Sequence, residues 1–403
     1  MKQGQGADVI YLDNAATTAV WPEVFEKMKP FFMEDFANPA SIYAPARKAR
    51  AAMEESRAII AGSLSAAPEE IYFTSGGSES DNWVLKAVSS RAAEEGRKHI
   101  IVSSIEHPAI LSACRYLAQH GFTVSYLPVR QDGVMDPEAL KACIRPDTCL
   151  VSVMTANNES GAIQPVKELS RIAHESGALF HTDAVQAYGH IPIDVKDWDV
   201  DFLSASGHKF HGPKGVGFLY IRRGLTVGPL IHGGSQERNR RAGTSNVPGI
   251  VGMGEAARIA MRDMADNIAE ETKLRDELIR RVEEEIPFAR LTGTRKNRLP
   301  GNVHFCFRFV ESETILILLD QKGICASGGS ACATGAQEVS HVLTAMHVDP
   351  EYSHGALRMT LSARTTEEEI DTTVEALKEI IAKLRSMSPA YRTWQEQQQK
   401  TDS

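Results

Sequence analysis

Residues 201–221 read DFLSASGHKFHGPKGVGFLYI, two apolar strand-like runs on either side of a turn rich in glycine and proline. Phe202 and Leu203 lead into Ser204-Ala-Ser-Gly-His-Lys209, and Val216 to Ile221 repeats the buried-strand pattern. The spacing puts one amine at the end of a sheet strand, where α/β proteins build their sites. A lysine held there and desolvated loses its charge and attacks a carbonyl, forming a Schiff base. A lone lysine is far more often a solvated loop residue. The surrounding chain decides between the two.

Upstream of this stretch, strands and helices alternate. Ile71–Thr74, His99–Ser103, Phe122–Leu127, Thr148–Met154 and Ala178–Thr182 read as strands. The helix patterns between them cover Glu79–Glu94, Pro108–His120, Pro137–Ile144 and Pro165–Ser176, and two earlier ones cover Val24–Phe32 and Pro45–Leu64. Such regular alternation predicts a mostly parallel sheet covered on both faces. From about Gly252 the texture changes to a long charged helix, Ala256–Glu285, and strands at Asn302–Phe309 and Gly355–Leu361. A short helix follows at Ile315–Lys322, and a last one at Thr366–Met387 opens on Thr365, Thr366, Glu368 and Glu369, a capping pattern. We therefore expect an α/β large domain over 21–257 and a smaller α+β domain formed by 1–20 and 258–403. The tail Gln395–Ser403 is polar and is expected to be loose.

Composition narrows the class. The chain has 403 residues, enough for two domains, with 42% hydrophobic and 24% charged residues. Its net charge of −8, without a long basic block, argues against nucleic acid or an anionic membrane as the main partner. The N-terminus lacks the apolar core of a signal peptide and no run is long enough to span a bilayer, so a cytoplasmic protein is expected. The six cysteines include no Cys-x-x-Cys pair, which fits buried thiols better than a disulfide framework. No metal site is expected.

The strand ends collect polar residues. Ser75-Gly76-Gly77-Ser78 opens a helix, and two glycines there let backbone amides approach an anion. His107 reads either as a helix cap or as an imidazole that stacks on a planar ring and moves protons. Asn157-Asn158-Glu159 and Asp183-Ala-Val-Gln186 end later strands. Asp183 reads as an N-cap, or as the carboxylate that keeps a pyridine nitrogen protonated. Ser206 and His208 flank Lys209 as donors, and Gly233-Gly-Ser235 with Arg241-Ala-Gly-Thr244 forms another segment fit for anion contacts. Each part is weak alone. The ordered set describes a binder of a phosphate, a pyridine and an aldehyde.

With these motifs in view, the chain resembles the cysteine desulfurases of the class V aminotransferase group, fold-type I enzymes that use pyridoxal 5′-phosphate. The likeness runs from Tyr11-Leu-Asp-Asn-Ala-Ala-Thr-Thr18 to Thr365-Thr-Glu-Glu-Glu-Ile-Asp371. It includes Thr74–Asn82, Glu106-His107, Asn157–Glu159, Ser206–Lys209, Gly233–Arg238, Arg241–Thr244 and Ser327-Gly-Gly-Ser-Ala-Cys332. The resemblance implies that Lys209 holds the cofactor and that His107 stacks on its ring and assists proton transfer. It implies Asp183 on the pyridine nitrogen, Gln186 and Asn158 around the phenolic oxygen, and Gly77, Ser78, Ser206 and His208 on the phosphate. Thr244 would reach the phosphate of a neighbouring subunit, implying a homodimer. Arg358 matches the arginine that clamps the substrate carboxylate, a role suited to its planar fork, with Asn38 helping; Arg364 reads as structural.

Cys332, on a loop spanning about 325–337, is the implied nucleophile: it takes the sulfur of L-cysteine as a persulfide and releases alanine. The implied recipients are an iron–sulfur scaffold, in which Cys332 transiently contacts the cluster, or a protein of tRNA or cofactor thiolation. Selenocysteine cleavage, or another class V reaction, is the alternative; a plain aminotransferase needs no thiol there, and a non-catalytic scaffold partner would not need Lys209, His107 and Cys332. The chain departs from the family in having Tyr43 and Ala46 where a histidine and a glycine are usual, and Ser78 for a threonine. Cys325 adds a second thiol, read as a packing residue or as a disulfide partner for Cys332.

Overall fold

The computed structural model describes residues 9–328 and 339–401. In chain order the strands are β1 (Ile10–Tyr11), β2 (Ile71–Thr74), β3 (His99–Ser103), β4 (Thr123–Leu127), β5 (Thr148–Ser152) and β6 (Leu179–Asp183). They continue with β7 (Phe202–Ser206), β8 (Gly217–Ile221), β9 (Ala289–Leu291), β10 (Asn302–Phe307), β11 (Ile324–Cys325) and β12 (Ala356–Thr360). Seven of them form one sheet in the order β2-β8-β7-β6-β5-β3-β4. Its pairings are parallel except those made by β8, which runs antiparallel to both β2 and β7. The cause is local: the ten residues between β7 and β8 are too few for a helical crossover, so the chain turns straight back. β2, β3, β5, β7 and β8 are buried along their whole length, as strands covered on both faces must be.

One apolar core, including Ile101, Val151, Phe180, Leu203 and Phe218, lies on one side of this sheet; a second, including Trp83, Ile100, Leu150 and Phe202, lies on the other. A third core gathers Leu12, Phe305, Leu357, Ile370 and Leu377 around the antiparallel sheet β12-β10-β9. The helix Val247–Glu285 serves two of them. Ile250, Met253 and Ala257 pack in the first core, and Leu274, Leu278 and Val282 in the third. The compositional change read near residue 252 thus falls inside one continuous helix.

That helix begins nine residues before the expected Ala256. Asn246 caps it, its Oδ1 accepting from Gly249 N at 3.1 Å. Gly252 and Gly254 disguise the first turns, yet each marks a close approach: a Cβ on Gly252 would lie 2.4 Å from Met28 Sδ, and one on Gly254 2.5 Å from Ser56 Cβ. Such contacts leave no room for a side chain. The expected helix over Val24–Phe32 is two, Pro22–Met28 and Pro30–Met33, divided at Pro30. The helix Pro389–Thr401 runs into the tail expected to be loose; just ahead of that tail, Tyr391 and Trp394 are set against Phe288 and Phe309. The capping pattern at Thr366 stands, with Thr366 Oγ1 accepting from Glu369 N and Glu369 Oε2 from Thr366 N. Among the described residues, no helix is long and apolar enough to cross a membrane.

Candidate active site

The carboxyl ends of the parallel strands converge on one region. The helix Gly77–Glu94 starts directly after β2, so its first amides, which have no intrahelical acceptor, open onto a cavity of about 410 Å³. Gly76, Gly77, Ser78, Ser206, His208, Thr17 and Lys214 line it. Glycine at position 77 is required by packing, since a Cβ there would meet Val185 Cγ2 at 2.5 Å. The cavity combines a helix N-terminus, hydroxyls and a lysine, the chemistry that receives a phosphate-sized anion. Burial pushes the His208 imidazole down to about 4, helped by the Lys209 and Lys214 ammonium groups, so at neutral pH it is uncharged. Its Nδ1 lies 3.0 Å from Thr17 Oγ1.

Lys209 closes the short 3-10 turn Gly207–Lys209 at the end of β7 and is half-buried. Its amine donates to the carbonyls of Ala15 and Ala16. Asp183, at the end of β6, is buried; its Oδ1 accepts from Val185 N at 2.8 Å. Burial pushes its carboxyl up, while the facing His107 imidazole and Lys209 ammonium pull it back. His107 is the N-cap of the helix Pro108–Gln119, its Nδ1 accepting from Ala109 N at 3.2 Å. It also faces Asp183, so capping and facing the site coexist. Burial lowers its pKa, the Lys209 and His341 charges adding to the effect and Asp183 opposing it.

Arg358, in the middle of β12, is 2% exposed. Its guanidinium donates to Asp13 Oδ1 at 2.8 Å and to the Asn158 carbonyl at 3.1 Å. This contact is made by the Asn158 backbone. Gln186 Nε2 donates to Ala15 O at 3.0 Å. Asn38 lies on an exposed turn where its Oδ1 accepts from Ala40 N at 3.0 Å. Thr244 is exposed and lines a different cleft, of about 190 Å³, with Ser75 and Arg241. Arg241 grips Glu79 bidentately, at 2.9 and 3.1 Å. Burial pushes Glu79 up, but Arg241 and Ser75 more than offset it and hold the carboxyl below its usual range. The Arg364 guanidinium lies over the Trp21 ring, 4.0 Å from its centre.

Cys332 and most of its loop lie outside the described residues. Cys325 pairs in β11 and is half-buried; burial and the carboxylates of Asp320 and Asp13 push its thiol up. Cys114, Cys149 and Cys306 are buried, and burial holds them protonated at about 12, 11 and 12. These three are packing residues.

One part of the site escaped the reading of the residues. Residues 13–18 run across the strand ends as a strap. Asp13 pairs with Arg358, the Ala15 and Ala16 carbonyls take Lys209, Ala15 also takes Gln186, and Thr17 meets His208. Asn14 Nδ2 donates to Thr360 O at 2.8 Å and Thr18 Oγ1 to His208 O at 3.0 Å. The polar run Asp-Asn-Ala-Ala-Thr-Thr was the available signal.

A lysine, a buried carboxylate and a helix-capped anion cradle at parallel strand ends define a class of enzyme, and the family model for aminotransferase class V matches residues 10–373. The chain belongs to that family. A cysteine desulfurase IscS from Dictyoglomus turgidum (strain DSM 6724 / Z-1310) is 51% identical over 385 residues, 96% of this chain and 98% of the relative. Among solved structures, a NifS-like protein superposes with a TM-score of 0.88 at 40% identity, covering 93% of this chain and 99% of the other. SspA in complex with cysteine superposes at 0.78 with 35% identity, covering 89% and 100%. Within the class V aminotransferases, then, this chain is a cysteine desulfurase.

Proposed function

We propose that the enzyme takes sulfur from L-cysteine with pyridoxal 5′-phosphate bound at Lys209, yielding L-alanine and a persulfide on Cys332. The observation that carries this reading is the convergence of Lys209, Asp183 and His107 beside the Gly77 cavity, on a chain whose relatives are cysteine desulfurases. The residues present fit the cofactor. The cradle at Gly76, Gly77 and Ser78 is too tight for a Cβ at position 77 and open to an anion. When bound, the group supplies an electron sink next to the substrate's α-carbon.

The chain's own residues supply the rest. Lys209 offers an amine held within reach of Asp183 and His107. Asp183 presents a carboxylate in a dry setting, where it retains a proton on a facing ring nitrogen. His107, kept neutral by burial, can accept a proton near the substrate. Arg358, already oriented by Asp13 and Asn158 O, offers its fork to the substrate carboxylate. Cys332 gains one sulfur atom and the substrate carbon gains the hydrogen, so thiol plus cysteine balances persulfide plus alanine.

We further propose the division into a cofactor unit over 21–257 and a thiol-bearing unit of 1–20 and 258–403. We propose a homodimer as well. An exposed apolar band, Phe32, Met33, Phe36, Ile42 and Tyr43, supports a partner surface, and Thr244, exposed in a cleft that adjoins the Gly77 cavity without lining it, fits a role across it. The recipient of the sulfur is proposed to be an iron–sulfur scaffold or thiolation protein. The test is direct: with L-cysteine and a thiol reductant, the enzyme should release sulfide and alanine in equal amounts. Cys332→Ala should release no sulfide while retaining the cofactor absorption; full activity in that variant would refute the reading.

A further inference from the structure

Behind the face that Asp183 presents to the site lies a buried polar layer that the proposed reaction does not use. Asp81, on the helix Gly77–Glu94, is 1% exposed; Glu106, after β3, is fully buried; Asp183 is 5% exposed. Each lies within electrostatic reach of Asp183. Glu106 Oε1 accepts from Ser103 Oγ at 2.5 Å and Met154 N at 2.8 Å, but Oε2 has no hydrogen-bond partner among the described residues. Asp81 bonds Ser204, and its Oδ1 is likewise without a partner. Among the described residues neither forms an ion pair with a lysine or arginine.

His181, the base beside Asp81, does not neutralise it. His181 is fully buried, its Nδ1 2.8 Å from Ser152 Oγ and its Nε2 2.9 Å from Ser204 Oγ, with Asp81 Oδ1 at 3.8 Å. Burial pushes this imidazole down to about 3, so it is uncharged. The other groups facing Glu106 are the buried Cys114 thiol and His341, whose Nε2 lies 3.1 Å from the Glu106 carbonyl. Three carboxyls in one dry layer cannot all be ionised, because each added charge is unsolvated and repels the others. Of the three, Asp183 faces the Lys209 ammonium and the His107 imidazole, and receives a backbone amide.

We propose that Asp81 and Glu106 are positioning residues, neutral carboxylic acids that leave Asp183 as the single negative charge beneath the site. The proposal rests on the reading of Asp183 as the partner of the cofactor's ring nitrogen. An ionised Asp81 or Glu106 would drive a proton onto Asp183 and remove the charge that partner needs; a neutral acid does not.

Infrared spectra of the full-length holoenzyme at pH 7 should contain protonated-carboxyl bands that shift on deuterium exchange, one of them from the buried Glu271, whose carboxyl burial also raises to about 8. Asp81→Asn should remove a second and Glu106→Gln a third. A substitution that removes no such band overturns the assignment for that residue. Unfolding across pH gives an independent readout. Burial raises the Glu106 carboxyl to about 8 from 4.5, so its contribution is full below about 4.5 and is lost as pH rises towards 8. Glu106 should contribute a fall in the folding equilibrium of up to about tenfold per pH unit over that window, and Glu106→Gln should reduce the total slope, to which Asp81 and Glu271 also contribute, by that share. An unchanged slope overturns the proposal. Asp183→Asn separates the two layers of argument: cofactor retention equal to wild type would refute the role of Asp183, while the infrared bands still decide the state of Asp81 and Glu106.

Discussion

Asp13→Ala is the most informative perturbation of the site, because Asp13 touches Arg358 and not the proposed cofactor residues. Its carboxylate receives Arg358 NH2 at 2.8 Å, with the arginine side chain 2% exposed and the aspartate 19%. A hydrogen bond between charged groups in such a setting contributes about 1.5–3 kcal/mol. The Asn158 carbonyl, at 3.1 Å, remains as a second anchor, so the guanidinium should lose orientation without leaving the site. If Arg358 binds the substrate carboxylate, the loss converts to an affinity reduction of roughly 10- to 100-fold, at about 1.4 kcal/mol per tenfold. The change should appear in KM for L-cysteine, with cofactor content unchanged. Asp13→Asn, which keeps an acceptor oxygen but not the charge, should fall between wild type and Asp13→Ala. Steady-state alanine formation over a range of cysteine concentrations measures all three. A KM within twofold of wild type in Asp13→Ala would refute the coupling of Asp13 to Arg358 function.

Two further perturbations test the frame around the site. Gly77→Ala places a methyl 2.5 Å from Val185 Cγ2, an overpacking that costs about 1–3 kcal/mol; it should also weaken cofactor retention, read by absorption after dialysis, and unchanged retention would show that the cradle is not at Gly77. Glu237→Ala removes the carboxylate that Arg57 grips at 2.8 and 2.9 Å and that also accepts from Phe73 N at 2.9 Å. Leaving the buried Arg57 with only the exposed Glu54 as counter-charge should cost about 3–5 kcal/mol in denaturant unfolding, and a loss below 1 kcal/mol would show that Glu237 does not hold this segment.

Much of this molecule was legible from local pattern. Apolar runs bounded by glycine and proline marked the strands of the large sheet, and Thr366 with Glu369 marked a helix start, because those signals act over a few residues. Lys209 was legible for a related reason: a polar turn directly after a buried strand has few places to go but the site. What resisted reading depended on distant partners. Gly252 and Gly254 look like helix breakers until Met28 and Ser56 are seen against them. Tyr391 and Trp394 sit just before the polar tail, and their helix is held by Phe288 and Phe309, some hundred residues away in sequence. The antiparallel course of β8 was implicit in a ten-residue turn but was masked by the regular alternation upstream. Asp13 offered no local signal for its bond to Arg358, 345 residues later.

That separation bears on how the enzyme comes to be assembled. The first half of the strap is secured by β1 on β11, by the Asp13–Thr360 bridge and by the Asp13–Arg358 pair, all near the far end of the chain, while Ala15 to Thr18 bond to Gln186, His208 and Lys209. Closing so long a loop is slow, because its entropy is lost before its contacts form. During synthesis the large sheet can be complete, with Lys209 and the Gly77 turn in place, while residues 10–14 still lack their anchors on β11 and β12. Completion of the proposed cofactor pocket therefore waits for β11 and β12 to emerge. A chain interrupted before residue 356 would present the lysine and the cradle with the strap held at one end only.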